Sequence, residues 1–164
     1  MNMLTIVKVG EDILKKKAAV IPEVDETVRQ LAEDMLETLG PNNGVGLAGP
    51  QVGVSKRIFV SSVPEDKPRV FINPEIIETS PEQIAIEEGC LSIPGVYADV
   101  VRSRLVKVQA YDINGKPFVL HADGLLARVV QHEIDHLNGV LFIDHLPEKK
   151  RLRAMKSFHR TAKS

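Results

Sequence analysis

The residues best suited to chemistry are two histidines and a glutamate in the segment His132-Glu133-Ile134-Asp135-His136. On a helix, residues four positions apart lie on the same face, so the imidazoles of His132 and His136 can converge on one ion. Glu133 lies beside that face, within reach of a water molecule bound to the ion. The spacing therefore predicts a catalytic metal site in which Glu133 moves protons.

A catalytic centre of this kind needs a third protein ligand. The single cysteine, Cys90, is the strongest candidate, in a turn-rich segment that Pro94-Gly95 is expected to close. A Cys-His-His set suits Zn²⁺, Fe²⁺, Co²⁺ or Ni²⁺, and the sequence does not choose among them. The rival third ligands are Glu87, Asp144 and His145. A carboxylate or histidine ligand would indicate a zincin-type peptidase instead.

The glycine-rich segment over residues 44–51 matches the pattern G-x-G-x-x-G. A dinucleotide site is disfavoured because a helix, not a strand, is predicted before it, and Pro50 follows directly. The segment instead predicts a loop whose backbone amides approach a ligand, with the side-chain amide of Gln51 as a further donor.

Three helices and several strands must position these residues. A helix is predicted over residues 25–40 with Asp25 as its N-cap, and a second from near Asp123 to Asn138-Gly139 carries the histidine pair. Pro147 is expected to open a third helix. Strands are predicted over residues 57–61, 69–72, 83–87, 105–112 and 116–121, the last two joined by a two-residue turn at Asn114-Gly115. This order predicts an α+β fold, in which small antiparallel or mixed sheets pack around a central metal-binding helix, with an N-terminal and a C-terminal helix.

The composition limits the class of protein. The chain has 164 residues, 43% of them hydrophobic, and a net charge of −1, which suits one folded domain over residues 1–164. One cysteine excludes an internal disulfide, and no apolar run approaches the roughly 18 residues of a membrane span. The first residues show no secretory or transit signal, so a cytoplasmic monomer without membrane association is expected.

Together, three blocks of residues resemble the peptide deformylase family. They are residues 44–51, Glu88-Gly89-Cys90-Leu91-Ser92, and Gln131-His132-Glu133-Ile134-Asp135-His136. The resemblance covers essentially the whole chain. It implies a bacterial-type enzyme that removes the N-terminal formyl group from formyl-methionine of newly synthesised polypeptides and releases formate.

The resemblance also implies a role for each matching residue. Cys90, His132 and His136 match the metal ligands, and Glu133 matches the general acid/base. Gln51 and the backbone N–H of Leu91 match the oxyanion hole, while Val45, Gly46 and Gly89 match backbone contacts to the substrate peptide. One divalent ion per chain is implied, Fe²⁺ above all, with Ni²⁺, Co²⁺ or Zn²⁺ as substitutes.

Arg128 departs from the family pattern, which has an apolar residue lining the methionine pocket here. Helical spacing places Arg128 on the metal-facing side, so it is expected to bind substrate through its stem. In one interpretation its guanidinium extends to water. In the other its charge lies at the pocket mouth and pairs with a substrate carbonyl or with a carboxylate such as Glu88.

The C-terminal segment is strongly basic. Residues 149–164 carry a charge of +7 and the rest of the chain −8. The resemblance implies a helix over residues 147–160 that docks near the ribosomal exit tunnel, with Leu152, Met155 and Phe158 packing it in place. Besides a zincin-type peptidase, a non-catalytic ribosome- or RNA-binding protein with a structural metal remains an alternative.

Overall fold

The structure, a computed structural model, describes residues 3–163. The helices are α1 (Glu26–Leu39), α2 (Gly124–Leu137) and α3 (Glu148–Lys163). The strands are β1 (Gly46–Ala48), β2 (Ile58–Ser61), β3 (Arg69–Thr79), β4 (Gln83–Cys90), β5 (Ile93–Ser103), β6 (Val106–Tyr111) and β7 (Pro117–Ala122). These elements form the predicted α+β fold, with antiparallel sheets and three helices.

A five-stranded antiparallel sheet in the order β1-β2-β3-β6-β7 separates α1 from α2. Alternate residues of a strand point to opposite faces, and β2 shows the consequence directly. Ile58 and Val60 pack in the cluster that includes Met35 of α1. Phe59 packs in the cluster that includes Val130 of α2. The buried metal-binding helix therefore lies on the face of the sheet opposite α1.

Strands β4 and β5 form a separate two-stranded ribbon on the far side of α2. Cys90 pairs with Ile93, so the reversal of the chain is the two-residue turn Leu91-Ser92. The prediction that Pro94-Gly95 closes this turn is wrong, because both residues lie inside β5. The sequence does not predict β5, because Pro and Gly near its start are typical of a loop.

The predicted helices are confirmed, and an aspartate side chain caps the N-terminus of α1 and of α2. The side chain of Asp25 accepts a hydrogen bond from the backbone N–H of Val28, and that of Asp123 accepts one from Gly124. Each carboxylate satisfies a backbone donor that has no partner within its helix. No helix in the described part of the chain is long and apolar enough to cross a membrane.

The basic helix α3 docks on β5 through one side only. Phe158 is 8% exposed and packs in a cluster that includes Leu14 and Phe142, and Ala154 and Met155 pack against the same cluster. Leu152, in contrast, is 53% exposed. The expectation that Leu152 packs the helix against the body is therefore wrong, because it lies off the face that carries Phe158.

Two strand predictions change in detail. β3 continues to Thr79, past Asn73 and Pro74, because Asn73 takes a positive φ at a register shift and its side chain hydrogen-bonds both backbone groups of Ile21. The predicted hairpin between β6 and β7 is present, but residues 112–116 separate the two strands. A hydrogen bond from the Asp112 N–H to the Lys116 carbonyl leaves a loop of three residues, 113–115. Of these only Gly115 has a positive φ, which excludes the two-residue type I′ turn.

Candidate metal centre

Three potential ligands converge where the ribbon meets the central helix. Cys90 is the last residue of β4, and His132 and His136 lie on one face of α2. One ligand atom from each lies within 4.8 Å of the other two, and Cys90 Sγ is 3.3 Å from His136 Nε2. Among the described residues this is the group that could hold a metal ion. The helix spacing and the tight turn of the ribbon together build it.

The chemistry of this donor set fits a divalent transition-metal ion. A thiolate and two imidazoles suit ions of borderline softness. Burial lowers the pKa of His136 well below its ordinary value, which keeps the imidazole neutral and able to bind a metal. His132 uses Nδ1 in a 2.8 Å hydrogen bond to Glu88, which leaves Nε2 for the ion.

The rival third ligands lie elsewhere. The carboxylate of Asp144 accepts a hydrogen bond from the backbone N–H of Leu141, and His145 Nε2 lies 2.8 Å from Asp135. Glu87 is exposed on the rim of the pocket. The third member of the group is therefore Cys90, which removes the basis for a zincin-type peptidase.

Glu133 lies beside the ligands, inside the protein. Its Oε2 is 4.0 Å from His132 Nε2, and among the described residues its Oε1 has no hydrogen-bond partner. Burial raises the pKa of Glu133 to about 7, against the attraction of His132. A carboxyl group with a pKa near neutrality can both accept and donate a proton at physiological pH.

Gly46 makes room for Glu133. A Cβ at this position would lie 2.7 Å from Glu133 Oε2 and 2.6 Å from Val129 Cγ1, both closer than van der Waals contact allows. Gly46 lies on the α2-facing side of β1, an edge strand that the sequence suggested was a loop. The glycine-rich segment therefore brings backbone to the site, as expected, but partly as a strand.

Gln51 is 1% exposed and its amide orientation is fixed. Its Oε1 accepts a hydrogen bond of 2.9 Å from the backbone N–H of Ala48. Its Nε2 lies 3.4 Å from Cys90 Sγ and 3.2 Å from Ser92 Oγ. The amide donor therefore faces the metal ligands.

A pocket of about 490 Å³ opens over these groups. Its wall includes nine of the ten residues that the sequence analysis assigns a metal-binding, catalytic or substrate-binding role, while His136, 1% exposed, lies behind it. The nine are Val45, Gly46, Gln51, Gly89, Cys90, Leu91, Arg128, His132 and Glu133. An accessible pocket at the ligands speaks against a closed structural metal site.

Arg128 does not extend to water. It is 5% exposed, and its guanidinium donates to Glu88 Oε2 at 2.7 Å and to the carbonyls of Val100 and Ile84 at 2.7 and 2.8 Å. The interpretation that its charge reaches solvent is wrong, because buried acceptors satisfy it. The other interpretation is right about the pairing with Glu88 but wrong about the place of the charge, because the guanidinium is buried and does not lie at the pocket mouth.

The network behind the ligands has little signature in the sequence. Arg102, on the unpredicted strand β5, donates to both oxygens of Glu88 and to Asp135. Hydrogen bonds from His132 and Arg102 outweigh the opposing effect of burial and lower the pKa of Glu88 below its usual range. One feature of the sequence points to this network: Glu88 and Cys90 are two residues apart, so on a strand their side chains lie on the same face.

The fold and this site define a metallohydrolase with one metal centre: a thiol and two histidines beside a buried glutamate, at the end of a pocket. Residues 3–152 match the family model described as Polypeptide deformylase. The chain belongs to this family and is a hydrolase of it.

Individual relatives agree with this membership. The chain is 55% identical to peptide deformylase 1 of Clostridium perfringens, over 82% of this chain and 92% of that protein. It is 46% identical to the peptide deformylase of Chromohalobacter salexigens, over 98% and 95%. The crystal structure of peptide deformylase from Ehrlichia chaffeensis in complex with actinonin superposes with a TM-score of 0.96 at 41% identity, covering 100% of both chains.

Proposed function

We propose that this chain binds one divalent ion through Cys90, His132 and His136 and hydrolyses the N-terminal formyl amide of newly synthesised polypeptides. The observation that carries the proposal is the convergence of these three ligands beside the buried Glu133, at the end of a pocket. Family membership supplies the substrate class. In this proposal the whole activity resides in one domain.

The division of labour follows from where each group lies. The ion, when bound, supplies Lewis acidity that lowers the pKa of a water molecule near neutrality. Glu133 takes a proton from the attacking water and delivers it to the amine as the C–N bond breaks, so that the products are formate and a free N-terminus. Gln51 Nε2 and the backbone N–H of Leu91 donate to the formyl oxygen as it gains negative charge. Each such donor is worth about 2.7–4 kcal/mol in the transition state.

Substrate is held by backbone and by the pocket wall. Val45, Gly46 and Gly89 line the pocket and offer their peptide groups to the substrate. The stem of Arg128 and the side chain of Val129 form part of the wall for the first side chain, methionine. A formyl carbon carries only hydrogen, so a tight site excludes bulkier acyl groups.

The reaction is tested by measuring formate released from a short formyl-methionyl peptide. Protein loaded with Ni²⁺ or Co²⁺ in the absence of oxygen is expected to release one formate per free amine formed. An acetyl-methionyl peptide is the matched control and is expected to be inert. Loaded protein that releases no formate would contradict the proposal.

Fe²⁺ is the proposed native ion. A ferrous ion held by a thiolate is readily oxidised, so protein purified without oxygen is expected to contain iron and to lose activity in air. Elemental analysis of protein prepared in this way decides the identity. Iron-free protein with full activity after aerobic storage would point to another metal.

The ribosome near its exit tunnel is the proposed partner of α3, with a monomer in the cytoplasm as the working form. Of the side chains of this helix that the structure describes, five basic ones are exposed: Lys149, Lys150, Arg153, Lys156 and Arg160. Clustered cations of this kind bind phosphate in a salt-dependent way. The docking residue Phe158 is on another side of the helix, so charge can be removed without undocking α3.

That separation sharpens the test. A variant with glutamine at positions 149, 150, 153 and 156 is expected to bind ribosomes more weakly, and with a flatter salt dependence, than the wild type. Its turnover of a short formyl peptide is expected to be unchanged. Glutamine at the exposed Lys67 and Lys116 provides the control. Ribosome binding that does not respond to salt in a sedimentation assay would contradict the electrostatic account.

A further inference from the structure

Arg128 connects the central helix to both strands of the ribbon. Its guanidinium, one turn of α2 before His132, donates to the carbonyl of Ile84 on β4, to the carbonyl of Val100 on β5 and to Glu88 Oε2. All three distances are 2.7–2.8 Å. A planar guanidinium with three short contacts is rigidly placed, so the oxygen that it holds is also rigidly placed.

Glu88 connects Arg128 to His132, one of the proposed metal ligands. Its Oε2 accepts from Arg102 and Arg128, and its Oε1 accepts from Arg102 and from Nδ1 of His132. A carboxylate bound to the Nδ1 of a ligating histidine sets the tautomer and the orientation of the ring. The direction of His132 Nε2 therefore depends on how firmly Glu88 is held.

The two arginines hold Glu88 in different ways. Arg102 also donates to Asp135, which His145 contacts near the surface. Arg128 makes its other contacts to backbone carbonyls of the ribbon that carries Cys90. The network thus holds two arginines and two carboxylates. Both arginines link the ribbon to α2, and Arg128 does so through backbone carbonyls of both strands as well as through Glu88.

We propose that Arg128 is a positioning residue for the metal centre: it holds Glu88 where that carboxylate aims the ring of His132 at the ion. Because this role rests on the proposed function, the wild-type protein is measured first. Absence of Co²⁺ binding with a thiolate charge-transfer band in the wild type would contradict the proposed function. If the wild type binds Co²⁺ normally and the Arg128 variants bind it as tightly as the wild type, only the role of Arg128 is contradicted.

The variants are Arg128→Met and Arg128→Lys, and Co²⁺ affinity is measured by competition with a chelator. Arg128→Met is expected to weaken binding about tenfold, the low end for loss of an outer partner of a metal ligand, since Arg102 still holds Glu88. Arg128→Lys is expected to lose less, because it keeps a positive charge beside Glu88. It is still expected to bind more weakly than the wild type, because an ammonium cannot reach all three acceptors in fixed geometry. The visible spectrum of the Co²⁺ form should shift in the same order.

Arg104→Met is the matched control. Arg104 also belongs to the ribbon region and pairs with Glu82 at 3.0 Å, but both side chains are exposed and neither lines the pocket. Its Co²⁺ affinity and spectrum are expected to equal those of the wild type. The control separates a loss of ribbon stability, which melting temperature reports, from a loss of ligand orientation.

A second measurement needs no metal. In metal-free protein the Nδ1 proton of His132 should give a slowly exchanging NMR signal, because Glu88 accepts it in a buried site, and Arg128→Met should speed that exchange. A folded Arg128→Met protein with wild-type Co²⁺ affinity, spectrum and proton exchange would overturn the proposal. If Arg128→Met does not fold, Arg128→Lys decides: affinity equal to that of Arg104→Met would overturn it.

Discussion

Glu133 and the three proposed ligands lie within one small site but have separable tasks. Replacing Cys90, His132 or His136 by alanine removes a donor atom, so each variant is expected to lose metal and activity together. Glu133→Ala removes proton transfer and leaves the donors in place, so it is expected to retain metal and lose turnover. Elemental analysis beside formate release measures both properties. Metal loss in Glu133→Ala as severe as in Cys90→Ala would contradict the separation.

Gly46 provides a second prediction for single residues. Gly46→Ala places a methyl group 2.7 Å from Glu133 Oε2, so the carboxylate must move. A misplacement of about 1 Å can lower turnover on the order of 100-fold, and kcat is expected to fall on that scale while metal content is unchanged.

Gly40→Ala is the control for this change. Gly40 lies at the C-terminus of α1 with a negative φ, and nothing lies closer than 4.0 Å to the added Cβ. Its kcat is expected to equal that of the wild type. If Gly46→Ala has the same kcat as the wild type, the absence of a side chain at position 46 is not needed to place Glu133.

Single residues also mark the limits of prediction from the sequence. The spacing of His132, Glu133 and His136 needs only helix geometry, so this part of the centre follows from the chain alone. The burial of Arg102 and Arg128 does not. Their common partner, Glu88, is 14 and 40 residues away in the chain, and an arginine on its own predicts exposure.

At the scale of elements, two substitutions in α3 can show which face of the helix packs against the rest of the protein. Phe158→Ala removes a ring that is 8% exposed, and such changes cost about 3–5 kcal/mol in the free energy of unfolding. Leu152→Ala removes an exposed side chain from the same helix and is expected to cost less than about 0.5 kcal/mol. Urea denaturation of both variants measures the difference. Equal losses would mean that the docking face is assigned incorrectly.

Elements with strong local signals could be predicted, and those without could not. The helices α1 and α2 begin at aspartates that cap them and follow a clear apolar period. β1 has only three residues, and β5 begins with Ile93-Pro94-Gly95, so neither has the local pattern of a strand. Both form because neighbouring strands supply hydrogen-bond partners, which the residues of each segment do not reveal on their own.

At the scale of the whole molecule, an ion in this site would join two parts of the fold. Its ligands come from the ribbon and from α2, which packs on the five-stranded sheet. A ligand that binds only the folded state at 100 times its dissociation constant stabilises it by about 2.7 kcal/mol. For a chain of this size the melting temperature is therefore expected to fall by about 5–10 °C when a chelator removes the ion.

Cys90→Ala is the control for the effect of the chelator on the melting temperature. This variant should melt at the same temperature with and without chelator, because it holds no ion to remove. Thermal unfolding under nitrogen, followed by circular dichroism, measures both proteins. A wild-type melting temperature that does not respond to the chelator would contradict a structural contribution of the ion.

The turn between β4 and β5 limits where residues can be inserted into or deleted from this chain. Cys90 and Leu91 are adjacent, and Cys90 pairs with Ile93 across only two residues. An insertion or deletion there would displace the thiol and the Leu91 amide together, whereas the three-residue loop between β6 and β7 lines no part of the pocket. Grafts and tags should therefore be tolerated in the latter loop and abolish activity in the former.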